Sequence, residues 1–179
     1  VSGFAYGCSG VAYALLRLFL VSQDSRFFEM AKTILSAIAL SDSDDRTWAQ
    51  GTTGVGLGCV GSLGILDSSE IRHLIDTALL RIDEASTWWG VDQLENGNFG
   101  QLELLLSAAE MTGKPLLELA QHHAARLIDR AKHRNGFYLC PHRSSQIFHP
   151  GFFQGLAGIG YTLLRLAHPE RIPSVLLWN

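Results

Sequence analysis

The chain has 179 residues, of which 47% are hydrophobic and 17% charged, and 14 basic against 17 acidic residues give a net charge of −3. This composition excludes a disordered chain, and the near balance of charge excludes a nucleic-acid-binding platform. Polar residues interrupt the longest apolar runs, so no transmembrane segment is expected. The three cysteines are widely spaced without a Cys-x-x-Cys pair, which indicates reduced thiols and a cytoplasmic location.

At least four Gly-x-x-Gly motifs occur along the chain at which an apolar segment follows the second glycine. The motifs begin at Gly7, Gly51, Gly97 and Gly155, with spacings of 44, 46 and 58 residues. The first and last copies share a longer pattern, Gly-x-x-Gly-[Val/Ile]-x-Tyr-x-Leu-Leu-Arg-Leu. Such self-similarity is typical of repeat proteins, and each motif is predicted to start an inner helix that is apolar nearly all round.

Three stretches between the motifs have one-sided helical periodicity and predict outer helices with a polar face. The apolar face of the first consists of Phe27, Met30, Ala31, Ile34, Leu35 and Ile38. The second, over residues 71–82, follows Asp67-Ser68-Ser69-Glu70, which resembles a capping box. The third is predicted to begin with Pro115 at its first helical position and to stop at Asn135-Gly136.

Alternating inner and outer helices predict an all-α fold, either an open solenoid or a closed ring. The tight glycine turns and the variable spacing favour the ring, an α,α-barrel (toroid) of helical hairpins. Four repeats would form only part of such a ring. We therefore expect the chain to be a piece of a longer polypeptide.

In such a ring, the residues just before each motif would surround a common mouth. Those immediately before the first glycines are Tyr6, Gln50, Asn96 and Gln154, and those one position earlier are Ala5, Ala49, Glu95 and Phe153. Two interpretations fit these side chains. They either form the floor of a central cavity or satisfy free backbone N–H groups at the helix starts.

These motifs resemble the lanthionine synthetase C-like family, and most closely the C-terminal cyclase domain of class II lanthipeptide (lantibiotic) synthetases. Residues 3–18, 48–57 and 96–105 carry the resemblance, and residues 150–161 with 173–177 are similar to the family's C-terminal end. The resemblance implies that residues 1–179 are the C-terminal part of one cyclase domain. It also implies an N-terminal dehydratase-like domain in the full-length chain.

The resemblance implies a seven-fold α,α-barrel with a catalytic zinc ion in its central cavity. Family members close thioether rings by adding a cysteine thiol of a ribosomally made precursor peptide to a dehydroalanine or dehydrobutyrine. Zinc suits this reaction because it lowers the pKa of a thiol and so yields a thiolate near neutral pH. A nearby histidine handles protons at the substrate.

The positions that match the family's zinc ligands hold other residues here. Ala49 and Glu95 stand where the family has cysteines, Asn96 stands where it has a histidine, and Tyr6 replaces the catalytic histidine. These departures from the family pattern predict no conventional zinc site, no cofactor, and a degenerate or weakly active cyclase. The polar residues predicted at the cavity rim are Cys8, Gln50, Asn98 and Gln154.

Other functions remain open at this point. A zinc site rebuilt from Cys8, Glu95 and His149 is one alternative, with His142 in the same loop. A non-catalytic α,α-barrel module that binds a peptide or small molecule is another.

A third alternative is a different α,α-barrel enzyme, such as a glycosidase, which would need two carboxylates facing one cavity. Glu95, with Asp92 or Glu103, is the only candidate pair near the predicted mouth.

Trp48 and the Trp88-Trp89 pair are predicted to pack and to anchor loops rather than to bind substrate.

Overall fold

The computed structural model describes residues 2–40, 45–83, 90–140 and 148–178, and His142 and the Trp88-Trp89 pair lie outside them. All regular structure in these ranges is helical, which confirms the predicted all-α fold. The helices are α1 (Cys8–Ser22), α2 (Ser25–Ser36), α3 (Thr52–Ser62), α4 (Ser69–Asp83), α5 (Asn98–Thr112), α6 (Leu117–Arg134) and α7 (Leu156–Ala167). None of the helices in the described ranges has the length and apolar character needed to cross a bilayer.

Each of the four Gly-x-x-Gly motifs starts a helix, as predicted. The first glycine is the N-cap in all four and has extended backbone angles. Glycine has no side chain to cap the helix, so the preceding loop supplies backbone carbonyls instead. The first helical N–H donates to the carbonyl seven residues upstream, from Thr52 to Asp45 (2.9 Å), from Asn98 to Val91 (3.0 Å) and from Leu156 to His149 (2.8 Å).

The same loops pass so close to the glycines that no side chain would fit. A Cβ atom on the second glycine would lie 2.0 Å from the carbonyl oxygen six residues upstream, at Gly10 against Phe4, Gly54 against Trp48, and Gly158 against Phe152. A Cβ atom on the first glycine of each motif would lie 2.2 to 2.5 Å from loop backbone. Glycine is therefore required at these positions because a side chain would clash with the loop. The absence of a side chain lets the loop backbone approach closely enough to cap the helix.

The first two outer helices follow the predicted periodicity with three differences. In α2, Ala31 and Leu35 are buried, but Met30 is 55% exposed and does not belong to the packed face, and Ile38 lies beyond the end of the helix. At the start of α4, the Ser68 hydroxyl accepts from the Ile71 N–H at 3.3 Å. Asp67 does not cap this helix as the capping-box pattern suggests, because its carboxylate binds the Arg72 guanidinium.

The third outer helix, α6, starts later than predicted. Its N-cap is Leu116, so Pro115 lies before the helix and not at its first position. Its end agrees with the sequence, since Asn135 adopts a left-handed conformation with φ of 57°. His123 is buried on the same face of this helix as Ala124 and Leu127.

The chain divides into two compact units, Val1–Glu84 and Ala85–Asn179. In the first unit, α1 packs on α2 and α3, and α3 packs on α4. In the second unit, α5 packs on α6 and α7. Each unit thus contains two of the glycine-turn helices. In the first unit an outer helix follows each of them, whereas in the second unit α6 follows α5 and no helix follows α7 within the described residues.

The four inner helices are not equally buried. Residues 52–60 of α3 and residues 98–108 of α5 are buried on all sides, as predicted for inner helices. In contrast, α1 and α7 are buried on one side only, with Val11 55% and Leu164 57% exposed. The prediction of burial all round is therefore right for two of the four helices and wrong for the other two.

Candidate functional site

In the first unit, the segment before α1 lies against the segment before α3. The N–H of Phe4 donates to the Trp48 carbonyl at 3.1 Å, and the N–H of Tyr6 donates to the Ala49 carbonyl at 3.2 Å. The Phe4 ring stacks on the Trp48 indole with centroids 5.7 Å apart, so Trp48 packs as predicted. These bonds bring two predicted site positions together, with the Tyr6 side chain 65% exposed and Ala49 1% exposed.

Two further predicted rim residues of the first unit are exposed at the same turns. Gln50 precedes the first glycine of the second motif, and its carbonyl accepts from the Gly3 N–H at 3.0 Å. Cys8 is the first residue of α1, and it is exposed. The first unit therefore presents a phenol, a carboxamide and a thiol at its helix starts.

In the second unit, the corresponding segments before α5 and α7 are also paired. The N–H of Glu95 donates to the Phe153 carbonyl at 2.9 Å, and the Gln154 side-chain amide donates to the Glu95 carboxylate at 2.7 Å. Glu95 is 7% exposed, whereas Asn96 and Gln154 are exposed. Two predicted site residues 59 positions apart in the chain are thus hydrogen-bonded partners.

The loop that carries Glu95 is held by a buried carboxylate, that of Asp92. It accepts from the Asn98 side-chain amide at 2.8 Å, from the Tyr138 N–H at 2.8 Å, and from the Arg130 guanidinium. Asn98 is itself only 1% exposed. Asp92 therefore fixes the loop before α5 and is not an open catalytic acid.

The residues at the family's ligand positions do not fit a zinc ion. Ala49 has no donor atom, the Glu95 carboxylate is engaged by Gln154, and Asn96 offers only a neutral amide. Among residues 2–40, 45–83, 90–140 and 148–178, no three His, Cys, Asp or Glu side chains form a group that could hold a metal ion. The His149 Nδ1 of the alternative ligand set accepts from the N–H of Gly151, in its own loop, at 3.2 Å.

The cysteines differ in accessibility, which bears on any thiolate chemistry. Cys8 is exposed and Cys140 partly so, whereas Cys59 is buried in α3. Burial raises the pKa of the Cys59 thiol to about 12. Because the thiolate is the nucleophile and the metal ligand, Cys59 is unsuited to either role.

We expect iodoacetamide at pH 8 to alkylate Cys8 first and to leave Cys59 unmodified in the folded protein. A thiol with a pKa near 12 has a thiolate fraction at pH 8 about three orders of magnitude below that of an ordinary cysteine. Peptide mapping by mass spectrometry would measure the rate at each site, and unfolding in urea should make the rates similar. Equal rates in the folded protein would contradict the burial of Cys59.

A buried charge cluster joins α5 and α7, and its pairing is not evident from the sequence. The Arg165 guanidinium donates to the Glu103 carboxylate at 2.8 Å, to the Ser107 hydroxyl at 3.2 Å and to the Glu110 carboxylate at 3.1 Å. Burial raises the pKa of Glu103, and the Arg165 charge opposes that rise. Arg165 stands in an otherwise apolar helix, but Arg17 does so in the first repeat and is exposed, so the sequence alone does not indicate the buried pair.

The burial of Glu103 in this cluster and the hydrogen bonds made by the Asp92 carboxylate argue against the glycosidase alternative. That reaction needs one carboxyl that is free to protonate the leaving group and a second that faces the same sugar. Glu103 is fully buried beside Arg165, and the Asp92 carboxylate accepts hydrogen bonds from Asn98, Arg130 and Tyr138.

The C-terminal segment is attached to α7 through Tyr161. Its hydroxyl donates to the Pro173 carbonyl at 2.9 Å and accepts from the Val175 N–H at 2.8 Å. Burial and the nearby negative charge of Glu103 raise the pKa of Tyr161 to about 12. The tyrosine of the repeat pattern therefore serves here to fix residues 173–175.

Comparison with known proteins bears on the family. A family model described as lanthionine synthetase C-like protein matches residues 1–177, nearly the whole chain. A search of curated proteins gives no match. The match supports a lanthionine-synthetase-like cyclase role in general terms, for a chain whose glycine turns start the helices and whose ligand positions hold Ala49, Glu95 and Asn96. The chain belongs to the lanthionine synthetase C-like family.

Proposed function

We propose that this chain is the cyclase region of a class II lanthipeptide synthetase that still binds a precursor peptide but has lost zinc-dependent ring closure. Family membership supports the general role. The observation that carries the loss is the hydrogen bond from Gln154 to Glu95, because it engages the one anionic group at the family's ligand positions. The proposal includes a cytoplasmic location and a dehydratase-like domain N-terminal to this region.

The residues at the substituted positions supply little for activating a thiol. Zinc would provide two positive charges beside the sulfur, whereas the methyl of Ala49 and the carboxamide of Asn96 are uncharged. The phenol of Tyr6 lacks the imidazole nitrogen that exchanges a proton near neutral pH. The proposal assigns precursor binding instead to polar side chains that are exposed at the helix starts, such as Tyr6, Gln50 and Gln154.

The decisive experiment combines metal analysis with a ring-closure assay on the purified chain. Zinc would be quantified by mass spectrometry, and a dehydrated precursor peptide would be followed by its loss of free thiol. We expect no stoichiometric zinc, no closure above the uncatalysed rate, and measurable binding of the peptide. Stoichiometric zinc together with thioether formation would overturn the proposal, and absence of peptide binding would favour the small-molecule-binding alternative.

Restoring the family's residues tests whether the positions are correctly assigned. The triple variant Ala49→Cys, Glu95→Cys, Asn96→His is expected to bind about one zinc ion per chain, since two thiolates and an imidazole suit zinc. The matched control carries serine at the first two positions and glutamine at the third. If the triple variant retains no more zinc than this control after dialysis, these are not the ligand positions.

A further inference from the structure

A groove of about 510 Å³ lies in the second unit, between the end of α5, the start of α6 and the segment after α7. Its volume is within the range of about 300–1,000 Å³ that is typical of ligand pockets. Glu110 lines the groove and lies 12 residues beyond Asn98, about 18 Å along α5 at 1.5 Å per residue. The groove is therefore at the opposite end of α5 from its glycine turn, and separate from the predicted rim residues Asn98 and Gln154.

One lining residue, Arg165, is almost fully buried and has an unused donor. Its side chain is 2% exposed, and its two terminal nitrogens are bonded to Glu103, Ser107 and Glu110. Its Nε atom is buried and has no hydrogen-bond partner among the residues the structure describes. A buried guanidinium N–H without an acceptor is unfavourable, so an acceptor supplied by a ligand would stabilise this site.

The acidic partner of Arg165 on the groove side is easily displaced. Glu110 is 53% exposed, whereas Glu103 is fully buried behind the guanidinium. An exposed carboxylate gains little from an ion pair, because water solvates it almost as well. Glu110 thus occupies the place that a ligand carboxylate would take.

The remaining polar lining also favours an anion that carries apolar neighbours. Lys114 and Arg171 are exposed cations in the groove wall. The wall also includes Leu117, the first residue of the 18-residue helix α6. No side chain caps the start of this helix, so the partial positive charge of its N-terminus adds to the charges of Lys114 and Arg171. Leu106 and Pro173 give the groove an apolar surface, and the carboxylate of Glu170 suits backbone N–H donors of a ligand.

We propose that this groove binds an acidic peptide segment. A carboxylate of the peptide docks on Arg165 in place of Glu110, and flanking apolar side chains lie on Leu106, Leu117 and Pro173. This site does not depend on zinc or on ring closure at the glycine-turn rim.

The test is fluorescence anisotropy on the intact chain with a fluorescein-labelled peptide, Leu-Glu-Leu-Asp-Leu, and the same peptide with Gln and Asn in place of Glu and Asp. We expect the acidic peptide to bind and the amide peptide to bind at least about tenfold more weakly, equivalent to the loss of one charge pair. Glu110→Gln should tighten binding about threefold or more. A merely structural role for Glu110 would give no gain.

Charge reversal provides the matched controls. Arg171→Glu should weaken binding at least tenfold, whereas Lys132→Glu, an equal charge change at the far end of α6, should leave it unchanged. Both positions are exposed, and circular dichroism would verify unchanged helicity. Equal binding of the two peptides, no binding at millimolar concentration, or equal effects of the two reversals would overturn the proposal, whatever the result of the zinc and ring-closure assays.

Discussion

Replacing Gly158 by alanine is expected to destabilise the protein by about 3 kcal/mol or more, the larger end of overpacking effects. The new Cβ atom would lie 2.0 Å from the Phe152 carbonyl oxygen and 3.1 Å from the Leu94 side chain. The loop before α7 cannot retreat without losing its hydrogen bonds to the helix start. Urea unfolding followed by circular dichroism would measure the change in the free energy of unfolding.

The matched control is Gly160→Ala, two residues further along the same helix. A Cβ atom there meets nothing within 4 Å, so the substitution should stabilise α7 by up to about 1 kcal/mol, the difference in helix propensity between the two residues. Opposite signs for neighbouring glycines would show that the motif glycine is required by the approach of the loop. Similar effects at both positions would contradict that explanation.

Replacing Arg165 by methionine is expected to cost about 3–5 kcal/mol, as is typical when one partner of a buried ion pair is removed. The substitution leaves the Glu103 carboxylate fully buried without its cation. Arg17→Met is the matched control, because Arg17 occupies the equivalent position of the first repeat but is exposed, and its loss should cost less than about 0.5 kcal/mol. Thermal unfolding of the two variants would compare them directly, and equal destabilisation would show that the buried pair is not the cause.

The Arg165→Met variant should also change how stability depends on pH. Burial raises the pKa of Glu103 above the ordinary carboxyl value of 4.5, so the carboxyl binds its proton more tightly in the folded protein than in the unfolded chain. The stability that this group contributes is complete below pH 4.5 and is lost as the pH rises through the raised pKa. Without Arg165 to oppose the rise, the loss should be larger and extend to higher pH. The free energy of unfolding of the Arg165→Met variant and of the unmodified protein, measured between pH 4 and pH 8, would show this larger loss. Parallel pH profiles for these two proteins would contradict the prediction.

The starts of the inner helices could be predicted from the sequence because two signals coincide there. At each of the four starts, a glycine pair with fixed spacing precedes a long apolar run. Burial was less predictable, since Val11 and Leu164 have the same apolar character as residues of α3 and α5. Hydrophobic periodicity shows which face of a helix can be buried, but not whether another helix covers it.

The candidate site was predictable position by position but not as a set of contacts. Glu95 and Gln154 were both singled out, yet nothing in the spacing of two repeats indicates that one side chain donates to the other. The role of Asp92 was missed for a similar reason, because two of its three donors come from residues 38 and 46 positions away. The capping of the inner helices was invisible because it is made by backbone carbonyls, which every residue has.

That capping has a consequence for how such a protein can change over generations. Because backbone carbonyls of the preceding loops accept from the N–H groups at the helix starts, capping of these helices does not require the side chains at Ala49, Glu95 and Asn96. Metal ligands at these three positions can be replaced by an alanine, a carboxylate or an amide while the helices still form. A scaffold of this kind can lose one chemistry and acquire another through a few substitutions, without passing through an unfolded ancestor.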